Sequence, residues 1–202
     1  MSTDHELHIR KRVDQIFALF AKHGHLSYGE HVSQTSHAVQ SACLAARDGY
    51  DDEIILTALF HDIGHLLSGD QAMLAADGQL LGNRDHEYLG ASFLKSCGFS
   101  KKTEAMIKNH VAAKRYLCYK DPAYLATLSE ASRQTLLQQG GPMQAKEAET
   151  FEADPYFSLS IKLRYWDDEA KIPHFDHGDL SAYKTKTLQW LLANHTQNEF
   201  QE

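Results

Sequence analysis

His61-Asp62-Ile63-Gly64-His65 closes an apolar helical stretch, and the reading of these five residues decides the fold. Asp51 and Asp52 are suited to cap the helix, Ile54, Ile55, Ala58 and Leu59 lead into His61 and Asp62, and Gly64 breaks it. An imidazole and a carboxylate on adjacent residues reach one metal ion only where a helix is ending and their directions can converge. The glycine permits that ending. The carboxylate has two oxygens and can bridge a second ion about 3.5–4 Å away, the separation of two-metal sites. Taken alone the pair is a weak signal, and a helix C-cap contact explains it equally well.

Working outward, residues 32–47 are expected to be helical, with Val39, Ala42, Cys43 and Ala46 on one face and Gly49 as a stop. Before them, Ile9, Val13, Ile16, Phe17 and Phe20 recur at steps of three and four through a helix at 6–22, and a turn through Gly24 and Gly29 joins the two. After Gly64, residues 66–84 hold Gly69, Gly78 and Gly82 and read as a loop. Helices follow at 85–96, ended by Gly98, and at 100–113, with Ser100 as N-cap. Others follow at 129–139, stopped by Gly140, Gly141 and Pro142, and at 144–152, 156–166 and 180–194. No segment alternates apolar and polar residues, so no strand is predicted and the fold class is all-α. One domain over residues 1–202 is the expectation for this length.

Composition narrows the function. A net charge of −7 argues against a broad nucleic-acid surface, and no apolar run approaches the roughly 20 residues of a membrane span. Cys43, Cys97 and Cys118 are odd in number, widely spaced and without a C-x-x-C pair. They read as buried free thiols of a reducing, cytoplasmic compartment. The 13 histidines are the outlier. Several lie inside apolar helical patterns, and histidine is the commonest metal ligand.

Three features join the His-Asp pair. His37 sits in Gln34-Thr35-Ser36-His37, His86 opens a helix as His86-Glu87, and His110 lies in Asn109-His110-Val111; Asp167 follows in Arg164-Tyr165-Trp166-Asp167-Asp168. Each histidine alone is more often a satisfied core residue. The order His…His-Asp…His…His…Asp is another matter: it resembles the signature of the HD-domain superfamily. The resemblance implies a helical bundle with a core of about residues 28–171 and a dinuclear metal site inside it. His37, His61, Asp62 and Asp167 would hold one ion, and Asp62, His86 and His110 the other, with Asp168 competing for the role of Asp167.

Finer motifs point further. His110-Val111-Ala112-Ala113-Lys114-Arg115-Tyr116-Leu117-Cys118, Leu128-Ser129-Glu130-Ala131-Ser132, Gln139-Gly140-Gly141-Pro142-Met143 and Leu163-Arg164-Tyr165-Trp166-Asp167-Asp168 are similar to the organophosphonate-cleaving branch, mixed-valent diiron oxygenases. The resemblance implies two iron ions and O2 as co-substrate. The implied reaction cleaves the carbon–phosphorus bond of a 1-hydroxy-2-(amino or trimethylammonio)ethylphosphonate, releasing phosphate and glycine or glycine betaine. It also implies a place after a 2-oxoglutarate-dependent hydroxylase. His65, Lys114, Arg164 and Ser132 could supply cations and donors to a phosphonate dianion. His65 and Lys114 are the expected catalytic residues of the set. Arg164 could equally pair with acids on its own helix. At the other end Glu30 could meet a cationic head group, with Tyr28 and Gln34 lining the site, although Tyr28 lies one residue closer to Glu30 than the family's spacing. A metal-dependent phosphohydrolase acting on a phosphate ester or nucleotide would use the same ligands and stays open, as does the choice of head group.

Overall fold

The structure, a computed structural model, describes residues 3–29, 31–67, 72–74 and 80–198. The chain begins with α1 (Thr3–His23), then a short antiparallel hairpin of β1 (Ser27–Gly29) and β2 (Val32–Ser33), then α2 (Gln34–Arg47) and α3 (Asp52–Phe60). A 3-10 turn, Ile63–Leu66, and a second hairpin, β3 (Ala72–Leu74) with β4 (Leu80–Asn83), lead to α4 (His86–Ser96) and α5 (Lys101–Lys120). Five helices complete it: α6 (Pro122–Thr127), α7 (Glu130–Gln138), α8 (Ala145–Glu152), α9 (Phe157–Glu169) and α10 (Ser181–Asn198). No described helix is long and apolar enough to cross a membrane.

The centre is α3. Every residue from Ile54 to Phe60 is buried, and a helix apolar all round belongs in the middle of a bundle. Asp51 caps it by accepting from the Ile54 N–H at 3.0 Å. The stripe Ile9, Val13, Ile16, Phe17 and Phe20 of α1 joins the same core. Phe60 sits edge-on between Phe17 and Phe99, with ring centroids 5.9 and 5.8 Å apart. The helix that carries His61 and Asp62 is therefore clamped on all sides, and its C-terminal end faces the interior.

The helical class holds, with two corrections. Two hairpins occupy places read as a turn and a loop; their strands are two to four residues long, too short for alternation to register. Of the three cysteines, Cys97 and Cys118 are buried and Cys43 is exposed, its thiol 3.6 Å from the Tyr183 hydroxyl. Helix ends also move. α5 runs to Lys120 instead of 113, because nothing between them breaks a helix and the stop is Asp121-Pro122. Pro122 then starts the unforeseen α6 at its first turn, with Asp121 accepting from the Ala123 N–H at 2.8 Å. α9 continues to Glu169, so Asp167 and Asp168 lie within a helix.

Gly64 is required by close approach. A Cβ there would lie 1.9 Å from the backbone oxygen of His86, an atom that cannot swing aside. We expect Gly64→Ala to cost about 1–3 kcal/mol by overpacking, visible as a drop of more than about 2 °C in Tm. An unchanged melting curve would show that α4 does not press on this turn.

Candidate functional site

Six buried side chains converge where the helices meet: His37 from α2, His61 and Asp62 after α3, His86 at the start of α4, His110 from α5 and Asp167 from α9. None is more than 7% exposed. Asp62 organises them. Its Oδ2 lies 3.6 Å from His37 Nε2 and 3.4 Å from His61 Nε2. Its Oδ1 lies 3.4 Å from both His86 Nε2 and His110 Nε2. Within the pairs, His37 and His61 approach to 3.3 Å and His86 and His110 to 2.9 Å through their Nε2 atoms. Asp167 Oδ1 stands 3.5 Å from His37 Nε2, on the first pair's side.

The tautomers follow from the other ring nitrogens. Nδ1 of His37 faces the Ala170 carbonyl at 2.9 Å, that of His61 the Ala58 carbonyl at 2.8 Å, that of His86 the Asn83 carbonyl at 2.9 Å, and that of His110 the Ile107 carbonyl at 2.6 Å. A carbonyl only accepts, so all four Nδ1 atoms carry the proton and all four Nε2 lone pairs point inward. Lone pairs facing each other at 2.9 and 3.3 Å repel unless a cation lies between them. Ligand atoms about 2.0–2.1 Å from one ion at right angles to each other sit roughly 3 Å apart, the spacing found here. Asp62 Oδ1 is buried and accepts no hydrogen bond. The cluster could hold metal, and the donor set of four imidazoles and two carboxylates fits a divalent or trivalent ion of the first transition row.

Electrostatics agree. Burial pushes His37 down to about 4 and His86 well below its ordinary range. His110 departs from them: burial opposes its proton too, but the Asp62 carboxylate that faces its Nε2 outweighs it and raises the pKa. Burial would raise Asp167, yet Arg164 overrides it and holds the carboxyl well below the usual range. The pocket favours positive charge at its centre.

His65 is arranged the opposite way. It lies near Asp62 and His86 and by distance alone could join a ligand set. Its Nδ1, however, accepts the Asn83 N–H at 3.0 Å, and burial lowers its pKa, so the neutral ring carries its proton on Nε2. That leaves a donor, not a ligand. Asn83 thus sets two tautomers from the backbone of one residue, its carbonyl for His86 and its N–H for His65, whose rings stack at 3.9 Å.

A cavity of about 100 Å³ opens beside the cluster, lined by Tyr28, Gln34, His65, Lys114, Ser132, Arg164 and others. Lys114 lies one turn beyond His110 on α5, 4% exposed, and donates to Thr135 Oγ1 at 2.9 Å. Burial, then the Arg164 charge, pulls it down to about 7. Arg164 reaches the wall, but each of its three nitrogens already has a partner. Nη1 donates to Asp167 at 2.7 Å, Nε to the Tyr124 hydroxyl at 3.0 Å and to Asp168 at 3.1 Å, and Nη2 to Asp168. Asp167 faces the histidines, whereas Asp168 faces Arg164 and Tyr124. Tyr28 stacks on His37 at 3.7 Å and donates to Asp167 Oδ1 at 3.0 Å, placing it against the cluster. Glu30 lies outside the described residues. Thr135, Gln139 and Lys171 also line the cavity and were not anticipated as site residues. Ser132 and Thr135 are three apart on α7, a spacing that could have flagged Thr135.

Fold and cluster together define a class. The HD-domain family matches residues 28–141, and the chain belongs to it. Three relatives make the placement narrower. An uncharacterized protein, L432, of Acanthamoeba polyphaga mimivirus is 39% identical, over 91% of this chain and 83% of the relative. The [1-hydroxy-2-(trimethylamino)ethyl]phosphonate dioxygenase (glycine-betaine-forming) of Leisingera caerulea is 41% identical, over 79% and 80%. The hydroxymethylphosphonate dioxygenase of Gimesia maris is 39% identical, over 87% and 86%.

The Lys114 ammonium loses its proton near neutrality, so its charge is present below about 7 and fades above it. Sulfate keeps its own charge over this range and makes a clean probe. We expect its affinity for the metal-loaded protein to fall between pH 6 and 9, by up to roughly tenfold per unit above 7. A flat profile, equal to that of Lys114→Met, would place the anion elsewhere.

Proposed function

We propose that this protein is a diiron oxygenase that uses O2 to cleave the carbon–phosphorus bond of a 1-hydroxyphosphonate. The preferred substrate is a 1-hydroxy-2-(amino or trimethylammonio)ethylphosphonate. The observation that carries the reading is the division of Asp62, one oxygen facing each pair of Nε2 lone pairs, beside a cavity whose free donors suit an anion. Both relatives named as dioxygenases act, by their names, on phosphonates with a hydroxyl on the carbon that bears phosphorus, which supports this substrate class.

His37, His61, Asp62 and Asp167 would hold one iron and Asp62, His86 and His110 the other. Two redox-active ions supply the electron transfer to O2 that side chains cannot. The protein's part is binding and aim. Lys114 and the Nε2–H of His65 meet the phosphonate oxygens with charge-assisted hydrogen bonds, and the hydroxyls of Ser132 and Thr135 complete that wall. Arg164 orients Asp167 from behind. Burial of the cluster keeps bulk water from the reacting carbon. The overall change is balanced: R–CH(OH)–PO3H2 and O2 give R–COOH and H3PO4. The substrate's hydroxyl suits a place after a hydroxylase, which we take to be 2-oxoglutarate-dependent.

Two experiments test the reading. Purified protein is expected to hold two irons per chain and Asp62→Ala to lose both; one zinc per chain in active protein would overturn the diiron assignment. Lys114→Ala and His65→Ala each remove a contact worth about 1.5–3 kcal/mol, so substrate use is expected to weaken at least tenfold with iron retained.

The reaction class is decided by oxygen. Phosphate release is expected to consume O2 one for one and, with labelled O2, to leave one label in the carboxylate. Undiminished multiple turnover under argon would make the protein a phosphohydrolase instead.

A further inference from the structure

Glu87 is a buried carboxylate with no part in the arrangement above. It follows His86 in the first turn of α4 and is 6% exposed. Its Oε2 lies 3.4 Å from His86 Nδ1 and accepts no hydrogen bond. Among the described residues the basic group within 4 Å of its carboxylate is the neutral His86 ring alone. A carboxylate in that position is costly unless positive charge reaches it. The charged groups that act on it are His110, Asp85 and Asp62, of which the two aspartates repel it.

The surroundings of the four inward-facing histidines therefore differ. His37, His61 and His110 each rest on one backbone carbonyl. His86 rests on the Asn83 carbonyl and has a carboxylate oxygen behind the same nitrogen. A carboxylate behind a ligating imidazole makes the ring a stronger donor and favours the more highly charged ion. The other half is biased the opposite way, since Arg164 draws charge from Asp167 at 2.7 Å.

We propose that Glu87 is a positioning residue for the ion held by Asp62, His86 and His110, feeding negative charge through the His86 ring so that this half retains the more highly charged ion. The proposal rests on the two-metal reading. It assigns a cause to an inequality between two ions that share one carboxylate.

Glu87→Gln keeps the shape and removes the charge. In iron-loaded protein, a redox titration followed by Mössbauer spectroscopy is expected to show the ferric-over-ferrous preference of one iron falling at least tenfold. For one electron that is 59 mV toward positive potential, with the other iron unmoved. In a Co(II) titration read by its visible spectrum, one of two binding steps is expected to weaken at least tenfold. Glu87→Asp, which keeps the charge, is expected to stay within threefold of wild type in both. Unchanged values in Glu87→Gln would overturn the proposal, as would an equal loss in Glu87→Asp, which marks a packing role. Should the wild type take up no iron, the diiron reading fails while the Co(II) comparison still decides the role of Glu87.

Discussion

The structure depends on one carboxylate that has nowhere else to go. Asp62 follows a helix buried on every side and cannot reach bulk water. A buried charge must be paired, and imidazole lone pairs cannot pair it; each oxygen faces two of them, so the partner that the arrangement calls for is a cation between them. The helices are arranged to make that pairing possible. α2 and α9 bring His37 and Asp167 to one side of it, while α4 and α5 bring His86 and His110 to the other. The close passage of Gly64 under His86 lets α4 approach far enough. Stability and chemistry are thus linked at one point: the arrangement that a metal would relieve is the one the core imposes.

Around that point the charges are graded. Arg164 lies between Asp167 and Asp168, three and four residues along its own helix, and is neutralised by them. It stiffens the carboxylate side of the cluster and also lines the cavity. The lysine at position 114 is held by Thr135 but, among the described residues, has no carboxylate ion-paired to it, and burial leaves its proton loosely held. An anion entering the cavity would supply the counter-charge that the lysine lacks, so that binding and protonation would reinforce each other. His65 adds a neutral donor whose direction is set by a backbone N–H.

The residues that meet were largely legible in the chain. Three of the four histidine tautomers are set locally, by carbonyls three residues earlier at Ala58, Asn83 and Ile107, and their placement at helix ends or along apolar stripes marks them. Less legible was the surrounding frame. The hairpin that supplies Asn83 is held by pairing between short strands of irregular register, which leaves no pattern in the sequence. The exposure of Cys43 depends on how much of α2 its neighbouring helices cover, a packing question that periodicity along α2 does not answer.

What the sequence by itself determined was the helical class, the central apolar helix, and the order of imidazoles and carboxylates that makes the cluster recognisable. These depend on spacing and side-chain type, which are properties of the chain. Tertiary structure alone decided the rest. It turned Asp167, and not Asp168, toward the histidines by the rotation of α9, paired Arg164 with both acids of its own helix, and set the Nδ1 of His65 as an acceptor. It also supplied His37 with the carbonyl of Ala170, 133 residues away. Each of these outcomes depends on the direction of a bond relative to a partner far along the chain, and direction in space is fixed only when the helices pack.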